Sequence, residues 1–235
     1  MSENEAVMRW DPYSLTYDSE FDDFWRGHLA RRERRLLLVL GKGFDVRALE
    51  TARRLRDLRA NAEVWLLAFH NGQDDSELRR KRTDQNAEGL AKLFDVSRIK
   101  EVDIDIGSAF GSPVASVNTY TQLRTAGDPT QFDDVVIDIS AMPRMVAMTT
   151  VAVLLKRLDD ADRTGKRVNL HVAVAESVSA DLKSGQGSLR DQVSFVRGFS
   201  GELTAQTTED LPRVWFPVLG ESQSDRLDKI HQHLT

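Results

Sequence analysis

The sequence predicts a Rossmann-like α/β fold, a three-layer sandwich around a mostly parallel sheet of five to six strands. Three observations lead there. Apolar runs of strand length recur along the chain, and helical stretches separate them. The two clearest runs, 36–40 and 135–139, are apolar at nearly every position rather than at alternate ones. A strand that faces water on one side alternates, so continuous apolar runs belong to a sheet buried on both faces, which is the parallel kind covered by helices. With 235 residues, 40% of them hydrophobic, the chain can bury one substantial core.

The elements follow in order. Residues 1–34 form an aromatic N-terminal arm and a helix. Trp10, Tyr13, Tyr17, Phe21, Phe24 and Trp25 are interleaved there with Asp11, Asp18, Glu20, Asp22 and Asp23. Acids among the aromatics argue for packing onto the body or onto a second subunit rather than onto a nucleic acid. The helix is expected over 19–34, with Ser19 as its N-cap. Trp10, Tyr13, Phe21 and Trp25 are expected to be at least half buried, because so many exposed rings in one stretch would make an adhesive patch.

The Rossmann-like domain then spans 35–235. Its first strand is 36–40. Val46, Leu49, Ala52, Leu55 and Leu58 form the apolar stripe of the next helix. A second strand covers 62–69 and ends at His70-Asn71-Gly72. A polar helix follows across about 75–94. The third strand, 101–106, alternates and so suits a sheet edge. A helix over 113–125, a strand over 134–139, a helix over 143–158 and a strand over 168–175 complete the regular part. Residues 176–211 read as a lid-like excursion, punctuated by Ser184-Gly185-Gln186-Gly187-Ser188. A sixth strand is expected over 214–219 and a last helix from Ser224. Met142, Met145 and Met148 stand at helical spacing and read as core.

Composition excludes several functions. The net charge is −5, which argues against general nucleic-acid binding. There is no cysteine, so disulfides, thiolate metal sites and cysteine nucleophiles are out. The five histidines stand at 28, 70, 171, 231 and 233, without a metal-ligand spacing. No metal and no cofactor are expected. The acidic N-terminus is no signal peptide, and no apolar run is long enough for a membrane span, so a cytoplasmic location is expected.

Two strand-to-helix junctions carry the chemistry. The first reads Leu40-Gly41-Lys42-Gly43-Phe44-Asp45. The second reads Asp138-Ile139-Ser140-Ala141-Met142-Pro143-Arg144. Each brings a cation to a helix start, where it opposes the helix dipole unless an anion is bound. In the common strand order 3-2-1-4-5 the ligand crevice lies between strands one and four, where these junctions sit. Gly41 and Gly43 allow a close backbone approach to a ligand. Neither Gly-Lys-Gly nor its flanks match a dinucleotide fingerprint or a Walker A loop. Asp45 is either a ligand contact or the N-cap of the following helix. Asp138, after an apolar run, needs a partner. It is either salt-bridged to Arg144, a cap on nearby backbone amides, or a ribose, base or catalytic group. Ser140 could cap the helix, and Pro143 suits its first turn. Arg144 and Asn71 complete the predicted ligand set, with Asp138, Glu176 and His70 as candidate catalytic groups.

The second junction resembles the corresponding loop of CARF-type ligand-sensing domains of CRISPR-associated and related anti-phage proteins. Asp138 takes the opening polar position, Ser140 the hydroxyl and Arg144 the cation. Ala141 and Met142 replace the paired glycines of that family, and Pro143 stands where threonine is usual. The resemblance implies a Rossmann-like fold, a homodimer and binding of cyclic oligonucleotides at the ends of strands one and four, in a setting of microbial defence.

Three readings therefore stand. The first is a nucleotide- or cyclic-oligonucleotide-binding sensor domain. The second is a nucleotide hydrolase or N-glycosidase in the same crevice, marked by a carboxylate of raised pKa. The third is an interaction subunit of a larger complex.

Overall fold

The computed structural model describes residues 13–70, 76–107 and 113–177. Its sheet has five strands, all parallel: β1 (Arg35–Gly41), β2 (Asn61–His70), β3 (Ile99–Asp105), β4 (Asp134–Asp138) and β5 (Asn169–Ala173). Their order is β3-β2-β1-β4-β5, so β1 is central and β3 lies at an edge, as the residue patterns predict. The helices are α1 (Ser19–Ala30), α2 (Glu50–Asp57), α3 (Glu77–Leu93), α4 (Pro113–Thr125) and α5 (Arg144–Asp162). The expected sixth strand, the last helix and all but the first two residues of the 176–211 excursion lie outside the described residues.

Alternation along β1 builds both cores. Leu36, Leu38 and Leu40 pack with Val64, Leu66 and Val136 against Trp25 of α1, Leu55 of α2 and Leu90 of α3. Leu37 and Val39 point the other way, with Val135 and Ile137, against Leu123 of α4 and Val153, Leu154 and Leu158 of α5. Every one of these β1 leucines is at most 2% exposed. Full burial of such a side chain contributes about 1.5–3 kcal/mol. A polar residue at Leu38 would therefore disrupt the layer that seats three helices.

The arm corrects two expectations. Helix α1 stops at Ala30 rather than 34, and Ser19 is its first residue, not its cap. Asp18 precedes it at φ 43 without a side-chain cap bond, while the Glu20 carboxylate accepts from the Tyr17 backbone N–H at 3.0 Å. Trp25 is buried and Phe21 packs beside it, as expected. Tyr13 is 76% exposed on the single chain, so the body does not bury it. Trp10 lies outside the described residues.

Beyond the end of α1, Arg34 holds a buried partner. Its guanidinium donates Nε–H to Asp134 Oδ2 at 2.5 Å and Nη2–H to Oδ1 at 3.1 Å. Asp134, the first residue of β4, is fully buried. Its Oδ1 also meets His28 of α1 at 2.9 Å, and His171 at 3.1 Å and the Asn169 amide at 2.9 Å, both on β5. Rings of Trp25, Phe24, His28 and His171 pack around this group, with Trp25 and His171 centroids 4.7 Å apart. Burial alone would push the Asp134 carboxyl up. Hydrogen bonds from His171, Arg34, Asn169 and His28 outweigh it and hold the group far below the ordinary carboxylate value of 3.8.

A depressed folded-state pKa stabilises the fold fully above that ordinary value and loses the contribution as pH falls below it. Asp134→Asn should therefore cost about 3–5 kcal/mol at pH 7, since it strands the buried Arg34 cation. It should also flatten the acid limb of the stability curve. Urea denaturation across pH checks both. A variant as stable as the parent would rule out the ion pair as the anchor of α1.

Candidate functional site

The chain reverses its direction of sheet growth between β1 and β4, and the two charged junctions sit at that switch point. The register pairs Leu40 with Asp138, so the loops that follow leave the sheet side by side. They touch. A Cβ on Gly43 would lie 2.8 Å from the Ala141 carbonyl oxygen and 3.0 Å from its Cβ. A Cβ on Gly41 would lie 2.7 Å from the Phe69 ring and 3.1 Å from the same carbonyl. The two glycines thus serve contact between the loops, and Ala141 and Met142 occupy the space in which a ligand was expected to approach them.

The first loop is tied down from several sides. Asp45 adopts the capping role: its carboxylate accepts from the Arg47 backbone N–H at 2.9 Å and pairs with the Arg47 guanidinium at 2.7 Å, which together hold its pKa low. Asn86 of α3 donates its amide to the carbonyls of Gly43 and Asp45 at 2.8 and 3.0 Å. Lys42 does not converge with Arg144 as a second cation. Its ammonium donates to both oxygens of Glu101 on β3, at 2.8 and 2.9 Å.

The second loop is built on Asp138, which is 2% exposed. Its Oδ1 accepts from the Ser140 backbone N–H at 2.9 Å and from the Ser140 hydroxyl at 2.5 Å. The Ala175 backbone N–H donates to that hydroxyl at 2.7 Å, so Ser140 ties β4 to the chain beyond β5 and is not a helix cap. Thr51 stands near enough to favour the charged form, yet Oδ2 makes no hydrogen bond among the described residues. Burial dominates and raises the Asp138 pKa, with the Glu50 charge adding to it. Asp138 does not pair with Arg144.

Arg144 opens α5, a helix of 19 residues. Pro143 precedes it at ψ 140, and no side chain caps the end. The first turn of such a helix presents unpaired backbone N–H groups and a partial positive charge. Arg144 is exposed and makes no ion pair among the described residues. Met142 and Met145 pack against the core as expected, whereas Met148 is 43% exposed.

The remaining predicted groups stand apart. His70, exposed at the end of β2, contacts Asp103 of β3 at 3.1 Å. Glu176 is exposed, three residues past β5. Asn71 lies outside the described residues. Two features had no local signal in the sequence: Asn86, a polar residue in mid-helix, and the convergence of His28, Asp134 and His171, whose ligand atoms lie within 4.8 Å of one another. Those are metal-ligand residue types. The Arg34 cation and the Asn169 amide already donate to the same carboxylate, so the group works as a hydrogen-bonded clasp. Among the described residues no helix is long and apolar enough to cross a membrane.

No protein-family model matches the chain, and no curated protein matches it in sequence. A similar solved structure is the U34-tRNA thiolase NcsA from Methanococcus maripaludis with its 4Fe-4S cluster, 16% identical, with a TM-score of 0.38. The match covers 71% of this chain and 63% of the thiolase chain.

Two outcomes follow. Gly43→Ala should destabilise by about 1–3 kcal/mol through overpacking against the Ala141 backbone, read as a fall in the urea midpoint. Asp138→Asn should behave unlike Asp134→Asn. A raised folded-state pKa makes stability fall as pH rises above the ordinary carboxylate value and level off above the raised one. Asp138→Asn should remove that fall and be at least as stable as the parent at pH 7. A strongly destabilised Asp138→Asn would show that the carboxylate is held charged.

Proposed function

We propose that the chain is a Rossmann-like ligand-sensing domain that binds a nucleotide or another phosphate-bearing small molecule, cyclic oligonucleotides included, at the ends of β1 and β4. The observation that carries this reading is Arg144: an exposed guanidinium without an ion pair among the described residues, at the uncapped start of a long helix, beside the switch point. A cation there is unfavourable alone and favourable with a bound anion. Its planar fork suits two oxygens of one phosphate. The backbone N–H groups of the first turn of α5 would supply further donors. Asp138 and Ser140 would act from behind, fixing the loop that aims them.

The resemblance to CARF-type domains adds a homodimer to this reading. Val117 and Met148 are exposed apolar side chains on neighbouring helices, flanking the hydrogen bond between Ser116 and Thr149, and they stand close to the start of α5. Light scattering with and without nucleotide reports the state directly. The cluster chemistry of the thiolase has no counterpart here, because iron–sulfur clusters are held by cysteine thiolates and this chain has none.

One observation favours a hydrolase or N-glycosidase as a second reading: the raised Asp138 carboxyl, the kind of group that serves as a general acid. Its burial and its distance in the fold from the exposed His70 weigh against it, since a substrate must touch its acid. Incubation with nucleotides separates the readings by whether product forms.

Arg144→Ala should lose about 1.5–3 kcal/mol of nucleotide affinity, the scale of a charge-assisted hydrogen bond, with little change in melting temperature. Arg144→Lys should recover part of the loss. Calorimetric titration and thermal unfolding of the same preparations check this. Unchanged affinity in Arg144→Ala would remove the phosphate role.

A further inference from the structure

We propose that Phe44, backed by Arg79, is a stacking platform for a planar base, so that the ligand held through Arg144 is a nucleotide rather than a plain sugar phosphate or inorganic anion. This rests on the phosphate site proposed above and adds the class of ligand.

Phe44 belongs to neither core. It is 43% exposed, although Gly43 before it is buried against Ala141. Phe44 thus directly follows the contact of Gly43 with Ala141, which stands three residues before Arg144, and its ring faces Arg79 of α3. Its backbone is fixed on both sides. The Asn86 amide holds the carbonyls of Gly43 and Asp45, the residues flanking Phe44, and Asp45 caps the turn Val46–Leu49. An aromatic ring placed on a pinned loop loses little freedom when it stacks, which is the condition for a preorganised contact.

The guanidinium carbon of Arg79, in the first turn of α3, lies 4.9 Å from the Phe44 ring centroid. Rings and guanidinium planes are the two surfaces on which unpaired bases stack. Here they adjoin, as a cation and a ring in contact. The cation covers the ring from the α3 side, and 43% of the residue stays exposed.

The test is calorimetric titration of the full chain with AMP, ribose 5-phosphate and inorganic phosphate, in the parent, Phe44→Ala, Phe44→Trp and Arg144→Ala, with thermal unfolding of each. The parent should bind AMP roughly tenfold or more tighter than ribose 5-phosphate, the scale of one stacked base. Phe44→Ala should abolish that preference while leaving ribose 5-phosphate affinity and melting temperature unchanged, and Phe44→Trp should retain it. Arg144→Ala should weaken both ligands together. Equal affinity for AMP and ribose 5-phosphate in the parent, or an equal loss of both in Phe44→Ala, overturns the platform and leaves the phosphate site standing. No binding of any of the three, or binding indifferent to Arg144→Ala, overturns the phosphate site and the platform with it.

Discussion

The buried ion pair between Arg34 and Asp134 is the interaction on which the rest of this structure is hung. It fixes the approach of the chain to β1, opposite the first residue of β4, and thereby supports the register that pairs Leu36 with Asp134 and Leu40 with Asp138. Through His28 it seats α1 on one face, and through His171 and Asn169 it holds β5. At the opposite end, where β1 and β4 open into loops, the polar groups are held by shorter networks: Asp138 with Ser140, Asn86 with the carbonyls of Gly43 and Asp45, and Lys42 with Glu101.

Asp134 and Asp138 show how position on one strand sets the state of a buried carboxylate. They point to the same face of β4, four residues apart, and both are almost wholly buried. Asp134 receives four donors from three segments and stays charged. Asp138 receives two bonds from Ser140, keeps one oxygen unpartnered among the described residues, and has its pKa raised by burial. The first is a permanent charge in a finished network. The second is a group whose state depends on what is brought near it.

The strands were legible because burial on both faces leaves a signature that no loop imitates: 36–40 and 135–137 are apolar at every step. Helix α4 falls at 113–125 as read, and the crossing of β1 and β4 follows from strand order alone. The start of α5 was legible for a local reason, Pro143 directly before Arg144. The ion pair of Lys42 was not legible because its partner Glu101 is 59 residues away on β3, and a salt bridge of that separation leaves no local trace. Gly41 and Gly43 looked like ligand glycines. Their small size is needed by Ala141, again about a hundred residues distant. The clasp around Asp134 joins residues 28, 34, 169 and 171, none of which stands out within its own neighbours.

The central claim is that the free end of the sheet, at the start of α5 beside the first junction loop, is where a phosphate-bearing ligand binds. Backbone amide NMR of the 26.5 kDa chain during titration with AMP tests this most directly. The account predicts that amides of residues 144–146 and 43–45 shift first and saturate together, while those of 28, 134 and 171 at the clasp stay still. Shifts centred elsewhere, such as on the groove of Tyr120, Arg124 and Arg157 between α4 and α5, or no shifts at millimolar nucleotide, would contradict it.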